Sequence, residues 1–179
     1  SINAKMFGHG DPLRLKEGER VLFHVLNASA GEIRSLALPG HVFRIMALDG
    51  NPVPAPADVP VLWLGTAERI SAIVEMNRPG VWVMGDLADD DRGHGMGIVV
   101  EYAGAMGEPQ WTKPQPYKWD YTIFGQPGAT AASPDATFDV TVVKHNGAVD
   151  GFNQGMLNGE GFSMQTMKPA VLSLFLSVS

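Results

Sequence analysis

The run Gly80-Val-Trp-Val-Met-Gly-Asp-Leu-Ala-Asp-Asp-Asp-Arg-Gly-His-Gly-Met96 sets the architectural reading of this chain. Its first half is a short apolar strand entered through a glycine. Its second half is an acidic, glycine-containing loop leading to a further apolar run over 98–102. Two such runs joined by a polar loop predict a β-hairpin. The same signal recurs at 33–38, 42–48 and 70–76. In the run 138–143, Phe138, Val140 and Val142 fall on one face and Asp139 and Thr141 on the other. Arg20-Val-Leu-Phe-His-Val-Leu26 is apolar on both faces, which predicts a central, doubly covered strand. Turn chemistry separates the runs at Lys16-Glu-Gly-Glu19, Leu48-Asp-Gly-Asn-Pro52, Asn77-Arg-Pro-Gly80 and Asn158-Gly159. Short strands at this spacing, with few plausible helices, predict an all-β Greek-key sandwich.

Composition narrows the function classes. The chain has 179 residues, 45% hydrophobic and 18% charged, as soluble globular proteins do. Its 21 Gly and 13 Pro favour turns over long helices. A net charge of -6, with the basic residues scattered, argues against nucleic acid, which demands clustered Lys and Arg. No apolar run approaches the roughly 20 residues that span a bilayer, so no membrane partner is expected. No signal peptide is recognised at the start of this sequence. Without cysteine, disulfides and thiolate metal sites are excluded.

Between residues 104 and 136 the strand pattern fails. Pro109, Pro114, Pro116, Pro127 and Pro134 break any ladder, yet Trp111, Tyr117, Trp119, Tyr121 and Phe124 interrupt the polar composition. Aromatics bury large areas, so the segment reads as an ordered strap packed on the first domain, with 126–134 mobile. The expected organisation is a domain over 1–103, the strap over 104–136 and a partial second domain over 137–179. Some forty residues cannot enclose their own core, so the last part must lean on other chain.

These segments resemble the multicopper oxidases. Ile2-Asn-Ala-Lys-Met-Phe7, Asp11-Pro-Leu-Arg-Leu-Lys-Glu-Gly18 and Arg20-Val-Leu-Phe-His-Val-Leu-Asn-Ala-Ser29 look like the start of a cupredoxin domain of that family. Gly40-His-Val-Phe-Arg-Ile-Met-Ala-Leu-Asp-Gly-Asn-Pro-Val-Pro54 and Gly65-Thr-Ala-Glu-Arg-Ile-Ser-Ala-Ile-Val74 continue the likeness. Phe152-Asn-Gln-Gly-Met-Leu-Asn-Gly-Glu-Gly-Phe162, with Met167-Lys-Pro169, looks like the entry of a following cupredoxin domain. The resemblance implies a cupredoxin-like Greek-key sandwich followed by a partial second one. After Pro169 the sequence departs from the family's pattern and reads as a truncated or frame-disturbed end.

The family's copper-binding positions are identifiable, and they are filled by other residues. A copper-loaded domain carries His-Pro-x-His-Leu-His-Gly-His-x-Phe, where this chain has Arg34-Ser-Leu-Ala-Leu-Pro-Gly-His-Val-Phe43. Arg34 stands at the blue-copper His, Ala37 and Pro39 replace the pair serving the oxygen-reducing cluster, and only His41 remains. Downstream, Gly85, Asp86 and Leu87 replace His-Cys-His, Asp91 replaces the next His, and Met96 alone matches. A blue-copper centre needs a thiolate and two imidazoles. The resemblance therefore implies a copper-free structural domain, with copper in other domains of a longer, periplasmic or secreted oxidoreductase. Such a protein would take electrons from phenolic, amine or metal-ion donors and pass them to O₂. No catalytic, cofactor-binding or metal-ligating residue is assigned in this chain.

Rival readings follow from the residues themselves. Asp86, Asp89, Asp90, Asp91 and His94 form the densest oxygen-rich set, but its spacing matches no EF-hand, and it reads first as a solvent-facing turn. His94 and Met96, approached by His9, supply too few ligands for tight copper binding. His24 is expected to be a hydrogen-bonded core residue, His41 to brace a turn and His145 to be solvated. Asn27-Ala-Ser29 fits a glycosylation triplet that recurs by chance. The nine Met are scattered as core gap-fillers, with Met164 and Met167 placed to meet a neighbouring domain. The alternative function is a non-enzymatic cupredoxin-fold assembly module. Partners expected are the parent protein's other cupredoxin domains or a second copy, joined through the apolar end 170–179 as a dimer or exchanged strand.

Overall fold

A computed structural model describes residues 1–126, 128, 139–149 and 151–161. The chain divides into two units, Ser1–Ala129 and Thr130–Ser179. In the first unit the strands are β1 (Leu13–Leu15), β2 (Arg20–Leu26), β3 (Arg34–Leu36), β4 (Phe43–Leu48), β5 (Asn51–Val59), β6 (Leu62–Leu64), β7 (Arg69–Glu75), β8 (Val81–Gly85) and β9 (Gly97–Tyr102). One short helix, α1 (Asp89–Gly93), lies between β8 and β9. An antiparallel sheet runs β2-β7-β4-β5 and a second runs β1-β9-β8, with β1 parallel to β9. The β3–β6 pair joins the second sheet where Ala37 bridges Gly85. The all-β expectation holds, and the Gly80–Met96 stretch is a hairpin in which Trp82 faces Val100 and Gly85 faces Gly97.

Period-two burial explains the sandwich. On β7, Ile70, Ala72 and Val74 are fully buried, and Phe43, Ile45, Val59, Leu62 and Leu64 join them. Met84, Val100 and Tyr102 from the other sheet complete the same cluster. The β4–β5 turn has positive φ at both Asp49 (48°) and Gly50 (84°), the geometry that the hairpin twist favours.

Two expectations need correction. β2 is not a covered central strand: it lies at the sheet edge, alternates in burial, and leaves Leu22 51% and Leu26 56% exposed. β7 takes the interior place. In the second unit the strand expected over 138–143 starts only at Val142, and Asp139, Val140 and Thr141 precede it as non-strand residues. Phe138 lies outside the described residues, as do most of the 126–134 segment, Met164, Met167 and the apolar end 170–179. The second unit contains β10 (Val142–Val149), β11 (Phe152–Leu157) and β12 (Glu160–Gly161) in that order, with the Asn158-Gly159 turn at positive φ.

The strap's aromatics are anchored in the first unit. Gln110 pairs with β8 through Val83 N to Gln110 O and Gln110 N to Val81 O, each 2.9 Å. Trp119 meets Tyr121 edge-on at 5.6 Å and Phe124 at 5.4 Å, and Phe124 enters the core. The Tyr121 hydroxyl donates to Glu68 at 2.5 Å, and burial together with that carboxylate pushes its pKa up to about 12.

A buried polar link joins the turn before β4 to the end of β9. His41 Nδ1 lies 2.9 Å from the Pro39 carbonyl, which can only accept, so this nitrogen carries the proton. Nε2 therefore accepts from the Tyr102 hydroxyl at 2.6 Å, while that oxygen accepts from Arg78 N at 3.1 Å. Burial lowers the His41 pKa, Pro39 opposes the shift, and the Arg78 charge adds to it. A proton on Nε2 would face the Tyr102 donor, so the fold favours neutral His41. The unfolded ring titrates near 6.5, and the folded ring below that, so the unfolded state binds the proton first. Stability is fully present above about pH 6.5 and falls as the pH drops from there toward the folded pKa. All four Trp lie in the first unit, so their fluorescence reports its urea unfolding. The denaturation midpoint should drop between pH 7.5 and 5, and more weakly in His41→Gln. Parallel pH profiles for the two proteins would refute this role.

Candidate functional site

Asp86 is the point at which the residues singled out from the sequence converge. It follows β8, is 4% exposed, and is the one member of the acidic set that does not face solvent. Its carboxylate accepts from Ser35 Oγ at 2.9 Å, Ser35 N at 3.3 Å and Ala88 N at 2.9 Å. Leu87 N in turn donates to Ser35 Oγ at 3.2 Å. The Asp86 backbone closes the loop, its N–H donating to the Met96 carbonyl at 2.9 Å and its carbonyl accepting from Arg92 Nη1 at 2.8 Å.

Around this centre lies a ring of charge. Arg34 Nη1 contacts Asp91 Oδ1 at 3.0 Å. Arg92 Nη2 reaches Asp89 Oδ1 at 2.6 Å, and its guanidinium lies 4.0 Å above the Trp111 ring. That hydrogen bond and positive charge hold the exposed Asp89 carboxyl below its ordinary pKa. Asp89, Asp90 and Asp91 make up the first turn of α1, where the unpaired N–H groups favour negative charge. The expected solvent-facing turn is thus a one-turn helix over a buried Asp86. His94 caps it, with Nδ1 2.7 Å from the Asp90 carbonyl.

This donor set does not suit copper. Guanidinium offers no lone pair and repels a cation, and Arg34 stands at an imidazole position of the resembled motif. The Asp86 carboxylate is already engaged by three donors. Gly85 has no room for a ligand side chain, because a Cβ there would come 2.8 Å from the Met96 carbonyl. Among the described residues, no group of three or more His, Asp or Glu is placed to hold a metal ion. His9 lies on an exposed loop whose Met6 packs against Gly95, and it makes no hydrogen bond through its ring among the described residues.

The other singled-out residues lie elsewhere. His41 braces the turn before β4 as described above. His24 is not in the core: the edge position of β2 leaves it exposed, with Nδ1 2.9 Å from Ser71 Oγ. His145 is exposed within β10. Asn27 is buried, its amide donating to the Glu32 and Leu64 carbonyls and its carbonyl accepting from Ser29. Ser35, the main partner of Asp86, gave no signal in the sequence, since a lone strand serine resembles many others.

The two halves of this network differ in worth. Asp86→Ala leaves the buried Ser35 N–H and hydroxyl without an acceptor and should cost on the order of 3 kcal/mol. Asp91→Ala breaks a pair whose side chains remain 21% and 46% exposed, and should cost under about 1 kcal/mol. Urea unfolding of both variants provides the comparison, and an Asp91 effect equal to or larger than the Asp86 effect would reverse this ranking.

Residues 3–105 match the family model for multicopper oxidase. The chain is 28% identical over 166 residues to the multicopper oxidase MmcO of Mycobacterium tuberculosis, covering 90% of this chain and 32% of that protein. It therefore spans about a third of that curated relative's length. In structure it is similar to the blue copper oxidase of Nitrosomonas europaea, with a TM-score of 0.55 and 26% identity over 69% of this chain and 41% of the other. Its fold is also that of the laccase of Botrytis aclada, with a TM-score of 0.63 and 16% identity over 86% of this chain and 29% of the other.

Proposed function

The chain belongs to the multicopper oxidase family, and from that premise we propose that it is the non-metal structural domain of a longer copper-dependent oxidoreductase. The longer protein oxidises phenolic, amine or metal-ion donors and passes the electrons to O₂, with its copper held by other cupredoxin domains. This chain spaces those domains, packs against them and carries no electron itself. On the same reading the parent is exported to the periplasm or beyond. No described helix is long and apolar enough to cross a membrane.

The network around Asp86 is the observation that carries this reading. At the positions where the family places a thiolate and two imidazoles, this chain has a saturated buried carboxylate and an Arg34–Asp91 ion pair. Electron acceptance by copper needs soft thiolate and neutral nitrogen donors, and neither stands at these positions. The Asp86 hydrogen bonds, with a minor part from the Arg34–Asp91 pair, hold the loop where a metal would otherwise hold it.

The test uses the purified 179-residue chain, loaded with Cu²⁺, desalted and analysed for metal. Copper well below one atom per chain and no O₂-dependent oxidation of a phenolic dye are expected. A stoichiometric copper atom that survives desalting, with dye turnover above that of free Cu²⁺, would overturn the reading.

A further inference from the structure

The first unit protects its sheet edges unequally. β5, at one end of the four-stranded sheet, carries Pro52, Pro54 and Pro56, which have no N–H to offer a visiting strand. The outer side of β8 is taken by Gln110, and β1 offers only three residues. β2, at the other end of the large sheet, has seven residues, no proline and no bulge. Its only charged side chain, Arg20, stands at one end and is paired with Glu75.

The register shows which groups it presents. Asn27 N donates to Glu68 O and Met76 N donates to Glu19 O, so the odd-numbered residues between them also bond β7. The N–H and C=O groups of Arg20, Leu22, His24 and Leu26 therefore point away from the sheet. Among the described residues, no backbone or side-chain group takes them up. The side chains agree with the backbone. Val21, Phe23 and Val25 face the core yet are only half-buried, whereas Ile70, Ala72 and Val74 opposite them on β7 are fully buried. On the outer face Leu22 and Leu26 are more than half exposed.

We propose that β2 is a homotypic docking edge, at which two copies of this chain join their four-stranded sheets by antiparallel β2–β2 pairing. The sequence of β2 is complementary to itself in one register. With Phe23 on the two-fold axis, Leu22 faces the second copy's His24, Arg20 faces its Leu26, and Val21 faces its Val25. Each outward-facing residue then exchanges N–H and C=O bonds with another outward-facing residue. The two Arg20 charges lie at opposite ends of the seam, already paired with Glu75 of their own copy, so no like charges meet. Phe23 meets its own equivalent at the closely spaced non-hydrogen-bonded position, and the incompletely buried core-facing side chains gain further cover.

Sedimentation velocity of the full chain between 1 and 100 µM should show a dimer. Leu22→Pro tests the contact without removing a bond the fold uses, because the Leu22 N–H faces outward. It applies to β2 the protection that β5 already has. The variant should keep the Trp fluorescence of the folded first unit while the dimer dissociation constant rises at least about 100-fold. The chain has no native cysteine, so mixing Leu22→Cys copies with His24→Cys copies gives a clean reporter of register. Rapid formation of the mixed disulfide dimer is expected, and it should not form when the His24→Cys copies also carry Leu22→Pro. A monomer at 100 µM overturns the proposal, whether β2 is then bare or covered by some other segment. A dimer that withstands Leu22→Pro, or that fails to form the mixed crosslink, overturns it as well.

Discussion

A single buried carboxylate organises the corner of the sandwich where β3, the end of β8 and the start of α1 meet. An ionised group shielded from water must be met by donors, and Asp86 finds them on two separate elements: Ser35 on β3 and Ala88 at the entry to α1. Meeting that requirement sets the approach of the β3–β6 pair to the second sheet. It also starts α1, whose N-cap residue, Ala88, has no capping side chain. With α1 in place, Arg92 turns back to the Asp86 carbonyl and lies over Trp111, which ties the strap to the same corner. Gly85 is required because any side chain there would strike the Met96 carbonyl.

Much of the architecture was legible in the sequence because alternation is a direct record of which face is buried. The runs at 42–48, 70–76, 81–84 and 98–102 appear within a residue or two as β4, β7, β8 and β9. β5 was not legible, since three prolines argue against a strand until its edge position is known, where a missing N–H has no consequence. The reading of β2 failed for the opposite reason. Apolar residues on both faces are what a central strand shows, but they are also what an uncovered edge shows, and one sequence cannot separate the two. At the candidate site, the residues standing at the copper positions were legible only through the resemblance to the family's motifs. The burial of Asp86 and its dependence on Ser35 required the crossing of β3 over the hairpin, a contact between residues 51 positions apart.

The histidines illustrate the same division. His24 and His41 sit in similar apolar surroundings along the chain, yet one is exposed beside Ser71 and the other is buried against Tyr102. The deciding factor is not local composition. It is whether the next strand covers the residue, and Tyr102, at the end of β9, covers His41. Burial, and a hydroxyl that donates to the ring while accepting from the Arg78 amide, disfavour a second proton on it. Acid sensitivity thus follows from topology and could not be assigned from the residue type.

A loop held by a metal and a loop held by hydrogen bonds and ion pairs differ in what the fold needs in order to form. A metal-held loop is ordered only when deprotonated ligands and the ion are both present, so its folding free energy is partly binding free energy. Here the corresponding loop is tied by neutral and charge-assisted hydrogen bonds within one chain, which form as the sheets pack. The Arg34–Asp91 pair is half in solvent and contributes little by itself. Asp86, buried and engaged by three donors, contributes more, because the buried Ser35 groups have no alternative partner once water is excluded. On the function proposed above, a domain tied this way folds without copper and holds its geometry through changes in metal supply, as a spacer between redox centres requires.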